Sequence, residues 1–140
     1  MTRRPLTAVL LGLLALSATG TAAAAVTTPV DGRWKATITQ SQLRRAGASA
    51  ALAAQLYGSW TVRFENGRVE YRNGRNHTGA RGTFSVRGKV LRVVFLSGVG
   101  LRRGDVSECT WSIYRDRLTN RRIPGRPSQL CDAAVWRRAG

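Results

Sequence analysis

The sequence is short of nearly every residue type that catalysis and metal binding draw on. Its 140 residues hold one histidine, two cysteines and seven acids. A lone histidine, His77, and two cysteines that are not spaced as C-x-x-C leave a zinc site short of ligands. No G-x-S-x-G is present, and no Ser/His/Asp order can be singled out for nucleophilic chemistry. Gly98, Gly100 and Gly104 neither match G-x-G-x-x-G nor open a helix, so no phosphate-cradling loop is expected. Glu65 and Glu70 flank a hairpin on outward positions, where pairing with nearby arginines is the better reading than an acid/base couple. The expectation is therefore a protein without catalytic residues, metal or cofactor. Asn76-His77-Thr78 is formally a glycosylation sequon and is read as chance.

Long apolar runs are lacking as well. Spanning a bilayer as a helix takes about 20 apolar residues, and the longest candidate, at the N-terminus, reaches polar ground too soon. That segment has the three parts of a secretory signal. Arg3 and Arg4 form a positive start, Leu6 to Leu16 an apolar core, and Ala23-Ala24-Ala25 an A-x-A site. Cleavage is expected after Ala25, leaving residues 26–140 as one exported domain.

Charge of one sign is scarce, and the other sign dominates. Losing Arg3 and Arg4 lowers the formal charge from +16 to +14, carried mostly by arginine, with Lys35 and Lys89 the two lysines. A field of that size favours anionic partners and a monomer. In an exported chain the isolated pair Cys109 and Cys131 is expected to form one disulfide. Closing a loop of about 20 residues stabilises by roughly 3 kcal/mol through the unfolded state.

What the chain does have is period-two alternation, the mark of half-buried strands. Trp34, Ala36 and Ile38 alternate with Arg33, Lys35 and Thr37, and Trp60, Val62 and Phe64 with Thr61, Arg63 and Glu65. Turns are expected at Asn66-Gly67, Asn73-Gly74, Gly88-Lys89 and Asp116-Arg117. Between them run Val69 to Arg72, Arg81 to Arg87, Val90 to Leu96, Cys109 to Tyr114 and Leu118 to Ile123, with a final turn or strand at Cys131 to Arg137. Thr39 to Tyr57 breaks the pattern with helical spacing. Thr39 and Gln42 fit a capping box, Gly47 ends a first helix, Ser49 caps a second and Gly58 stops it, with one kinked helix as the alternative. The fold expected is mainly β: an antiparallel up-and-down barrel or strongly curved sheet of about 7–8 strands, with a short helical insertion after the first strand. A β-sandwich is the alternative.

Gly32-Arg33-Trp34 opens the first strand with a G-x-W, and the chain closes on Trp136-Arg137-Arg138. Together with Gly58-Ser59-Trp60, Gly82-Thr83-Phe84 and Trp111 near a cysteine, this resembles the lipocalin-like (calycin-type) small secreted domains of high-GC bacteria. The resemblance implies a barrel whose end is packed by Trp34 under an arginine, Arg137 or Arg138. It also implies a small apolar or amphipathic ligand held inside. The helices after the first strand and the short chain depart from lipocalins proper, which leaves a barrel filled by its own side chains as the other outcome.

The arginines point outward. Arg63, Arg68, Arg72, Arg81, Arg87 and Arg92 fall opposite the apolar positions and should coat the sheet. Such a coat favours anionic envelope polymers or lipid headgroups through bidentate contacts. Nucleic acid would need exposed stacking aromatics among them. Trp34, Trp60, Phe64, Phe84 and Trp111 read as inward, leaving Tyr57, Tyr71 and Tyr114 for the surface.

Overall fold

A computed structural model describes residues 27–140. The signal segment expected at residues 1–25 lies outside the described residues. Ten elements follow one another: β1 (Gly32–Ile38), α1 (Gln40–Arg45), α2 (Ala50–Leu56), β2 (Gly58–Glu65), β3 (Arg68–Asn73), β4 (Gly79–Arg87), β5 (Val90–Gly98), β6 (Val106–Tyr114), β7 (Arg117–Arg122) and β8 (Val135–Arg138). The eight strands pair in sequence order, each antiparallel to the next, and β8 pairs back onto β1 to close a barrel. Closure is what removes the two open edges a sheet would otherwise present.

The strands form where the alternation predicts, because each buries one face and wets the other. In β1 the buried set is Trp34, Ala36 and Ile38, and in β2 Trp60, Val62 and Phe64. Tight turns fix the register. Asn66 and Gly67 both adopt positive φ, 53° and 72°, as a two-residue hairpin of primed type requires. The turn expected at Asp116-Arg117 falls one residue earlier, on Arg115 and Asp116. Arg117 is already paired with Tyr114, and Arg115 supplies the positive φ of 56°. The Asn73-Gly74 turn is instead the start of a five-residue loop that carries His77 at φ 59°. β4 approaches β5 so closely at Gly82 that a Cβ there would sit 2.3 Å from the Val94 carbonyl, beside a register shift between Arg81 and Gly82. Only glycine fits that approach.

The two helices follow their caps. Thr39 and Gln42 form the capping box, and the Ser49 side chain accepts the Leu52 amide at 3.1 Å. α1 buries Leu43, while α2 buries Ala53 and Leu56. Among the described residues no helix is long and apolar enough to cross a membrane. Cys109 and Cys131 are bridged, their Cα atoms 5.9 Å apart, which ties β6 to the segment leading into β8.

One end of the barrel is filled. Val30, Trp34, Phe64 and Leu118 are among its fully buried side chains, and Phe64 packs edge-on against Phe84 with ring centres 4.9 Å apart. The Trp34 indole donates to the Val30 carbonyl at 2.9 Å, so its one polar group is satisfied inside. The Arg138 guanidinium lies 4.2 Å over the Trp34 ring and donates to the Asp31 carbonyl at 3.2 Å. Gly32, at φ +120°, leaves room for it: a Cβ there would stand 2.9 Å from the guanidinium.

Candidate functional site

The opposite end is built differently, starting from a helix terminus. A helix leaves its last four carbonyls without intrahelical partners, and here the β3–β4 loop and the start of β2 supply them. Asn73, fully buried, donates to the Leu56 and Tyr57 carbonyls at 3.2 and 3.0 Å, and its own oxygen accepts the Arg75 amide. Arg75 reaches the carbonyls of Ala54, Gln55 and Tyr57 and stacks 3.8 Å over the Tyr57 ring. Asn76 donates to Gln55 at 2.7 Å and the Trp60 indole to Leu56 at 2.6 Å. α2 is thereby fastened across the barrel mouth as a fixed cover.

Beneath that cover is a cavity of about 180 Å³. Its wall includes Leu43, Leu52, Leu56, Trp60, Phe95 and Trp136. Small residues (Ala46, Ala48, Gly79, Ala80 and Gly100) are interspersed in the wall and leave space that larger side chains would fill. The exposed Gly47, Gly100 and Gln129 mark its mouth. There Arg122 donates through Nε to Ser128 Oγ at 3.1 Å, and its terminal nitrogen lies beside Gly47. An apolar cavity of about 150 Å³ suffices for a benzene-sized guest, so this one suits a small ring or a short alkyl chain.

Tyr71 carries the polarity inside. Expected at the surface, it is half-buried and lines the cavity, because it shares the inward face of β3 with Val69 and Asn73. Its ring lies edge-on to Phe64 and Trp136, at 6.4 and 6.3 Å, and is tilted toward Phe95 at 6.2 Å. It thus stands where the filled half meets the empty one. Desolvation by burial pushes its pKa well above the ordinary tyrosine value.

The remaining sequence expectations sort by strand face. Arg138 packs over Trp34; Arg137 does not, since alternation turns it to the outer face opposite Lys35. Trp111, expected inside, is half-buried: its indole reaches the Gly88 carbonyl at 3.0 Å and Lys89 caps the ring at 4.4 Å. Arg63, Arg68, Arg72, Arg81, Arg87 and Arg92 are all exposed. Glu65 and Glu70 pair with Arg63 and Arg72, two residues along the same strand in each case. His77 is exposed in its loop. Among the described residues no group of three or more His, Cys, Asp or Glu is gathered as a metal would need.

Sequence reasoning missed Asn73 and Arg75 as anchors of α2, and the cavity-lining role of Tyr71. Alternation from Val69 does put Tyr71 and Asn73 inside. The reach of Arg75 across some twenty residues of chain left no local trace. No protein-family model, curated protein or solved structure matches this chain.

Proposed function

We propose that the protein is an exported, lipocalin-like binding protein that carries a small apolar or amphipathic ligand and performs no chemistry on it. The observation that supports this reading is the cavity under α2, apolar in most of its wall and held open by a fastened cover. Binding pockets typically combine an apolar lining with a few placed polar groups. The Tyr71 hydroxyl within and Arg122 with Ser128 at the rim are of that kind. The fit is to a ring with one polar substituent, its hydroxyl or carbonyl pairing with Tyr71.

Calorimetric titration with p-cresol and with toluene tests the reading, beside native mass spectrometry of protein purified from its own culture medium. Saturable one-to-one binding is expected, and Leu52→Trp, which fills the cavity, should abolish it while leaving the near-UV dichroism intact. Absence of saturable binding, or equal binding by Leu52→Trp, would sink the reading.

A further inference from the structure

A second surface lies outside the barrel. Side chains facing each other across antiparallel strands interact directly; opposite charges there stabilise and like charges destabilise. Most of the outer face obeys this. Glu70 stands between Arg63 and Arg81 in one row across β2, β3 and β4. Arg92 faces Glu108 across β5 and β6 at 3.8 Å, and Arg126 joins the same carboxylate at 2.7 Å. Arg33 faces Arg63, but Arg63 is relieved by its ion pair with Glu65.

The row across β7, β8 and β1 breaks the rule. Arg117 is in register with Arg137, and Arg137 with Lys35. Three cations therefore stand on adjacent strands at the strand spacing of about 4.8 Å. All three are exposed, and none takes part in an ion pair among the described residues. A groove runs along them, lined also by Thr37, Ser59 and Thr61, and no acidic residue lines it. By contrast, the groove over β4 to β6 places Arg87, Arg92 and Arg126 around a carboxylate of the protein's own, Glu108.

We propose that the groove over β7, β8 and β1 binds a linear polyanion, with successive oxyanions lying across the strands against Lys35, Arg137 and Arg117. An uncompensated like-charge row opposes folding, and a local rule broken without internal compensation is where a functional site is expected. Here the missing counter-charge comes from the ligand. Arginine forks accept carboxylate or phosphate oxygens in pairs, and the threonine and serine hydroxyls add neutral donors. Three cations with no acid beside them favour a partner rich in acceptors, and the hydroxyls can turn their protons to it. This surface is separate from the cavity and does not depend on what the cavity holds.

Binding to polyphosphate, polygalacturonate and inorganic phosphate, each across a range of salt concentrations, tests the proposal. Two triple variants of equal charge are compared: Lys35→Gln with Arg117→Gln and Arg137→Gln in the groove, and Arg68→Gln with Arg81→Gln and Arg87→Gln elsewhere. The groove triple should lose roughly tenfold or more in polymer affinity. Its log–log salt slope should flatten by about 2 to 3, at roughly 0.7–0.9 per contact. The distant triple should lose under about threefold by the same reasoning. Equal loss in both would show attraction to net charge and overturn the proposal, as would phosphate monomer binding as tightly as either polymer. The polymer that binds more tightly identifies phosphate or carboxylate as the oxyanion. Relief of like-charge repulsion should leave the free groove triple melting at or above wild type at low salt. A clearly lower melting point would overturn the reading of the row as uncompensated.

Discussion

The two ends of the barrel are made by the same alternating strands and come out opposite. At one end Trp34, Phe64 and Leu118 are fully buried, Phe64 packs edge-on against Phe84, and Arg138 is laid over the tryptophan. At the other, Ala46, Ala48, Gly79, Ala80 and Gly100 stand at corresponding inward or rim positions, and a cavity remains. Side-chain volume decides the difference, because interiors pack to a nearly fixed density and a shortfall appears as a void. The covers differ too. The filled end is capped by a side chain, whereas the open end is roofed by a helix whose carbonyls are bound by Asn73, Arg75, Asn76 and Trp60.

That contrast can be broken most sharply at Trp34. Trp34→Ala should lower stability by about 3–5 kcal/mol, read by chemical denaturation, since a fully buried ring is lost from a packed end. A loss below about 1 kcal/mol would mean the end is not packed as described. Asn73→Ala comes next, at about 1–3 kcal/mol, because the Leu56 carbonyl and that of Tyr57 just past α2 lose a buried donor. Hydrogen exchange should quicken in α2 and stay slow in β1 at Trp34. Equal quickening at both ends would argue against a separately fastened roof.

Tyr71 offers the smallest and most selective test. Tyr71→Phe should weaken p-cresol binding about five- to tenfold, the worth of one hydrogen bond, and leave toluene unchanged. The same residue sets a pH limb. Its pKa is raised in the folded protein, so the native state favours the neutral phenol. That contribution is complete below the ordinary value of about 10 and is lost as pH rises beyond it. Denaturation series across that range should show wild type losing stability where Tyr71→Phe does not. Parallel curves would place the hydroxyl in contact with solvent.

The chain's own pattern carried much of this. The inward sets of β1 and β2, the Asn66-Gly67 hairpin, the capped helices after β1 and the Cys109–Cys131 bridge are local or pairwise features, legible because two-residue alternation and turn chemistry act over a few residues. Tyr71, expected at the surface, was equally legible from its parity with Val69, which puts it on the inward face where the structure has it lining the cavity. Trp111 erred the other way, since parity assigns a face but not a depth, and at the Gly88 turn the barrel wall ends.

Paired cysteines, an antiparallel barrel or curved sheet and an outward arginine coat are all expected from residue order. The closed sheet is the part that the barrel bears out, with eight strands in sequence order. Alternation from Trp136 separates Arg138 from Arg137 by face; tertiary structure alone decided that Arg138 meets Trp34 and that Arg137 joins Arg117 and Lys35 outside. It also decided that small residues from three separate segments, Ala46 and Ala48, Gly79 and Ala80, and Gly100, converge on one end. Alternation fixes a face for every strand residue; only closure of the sheet brings distant faces together, and whether they fill the space between them depends on volumes summed across the whole barrel.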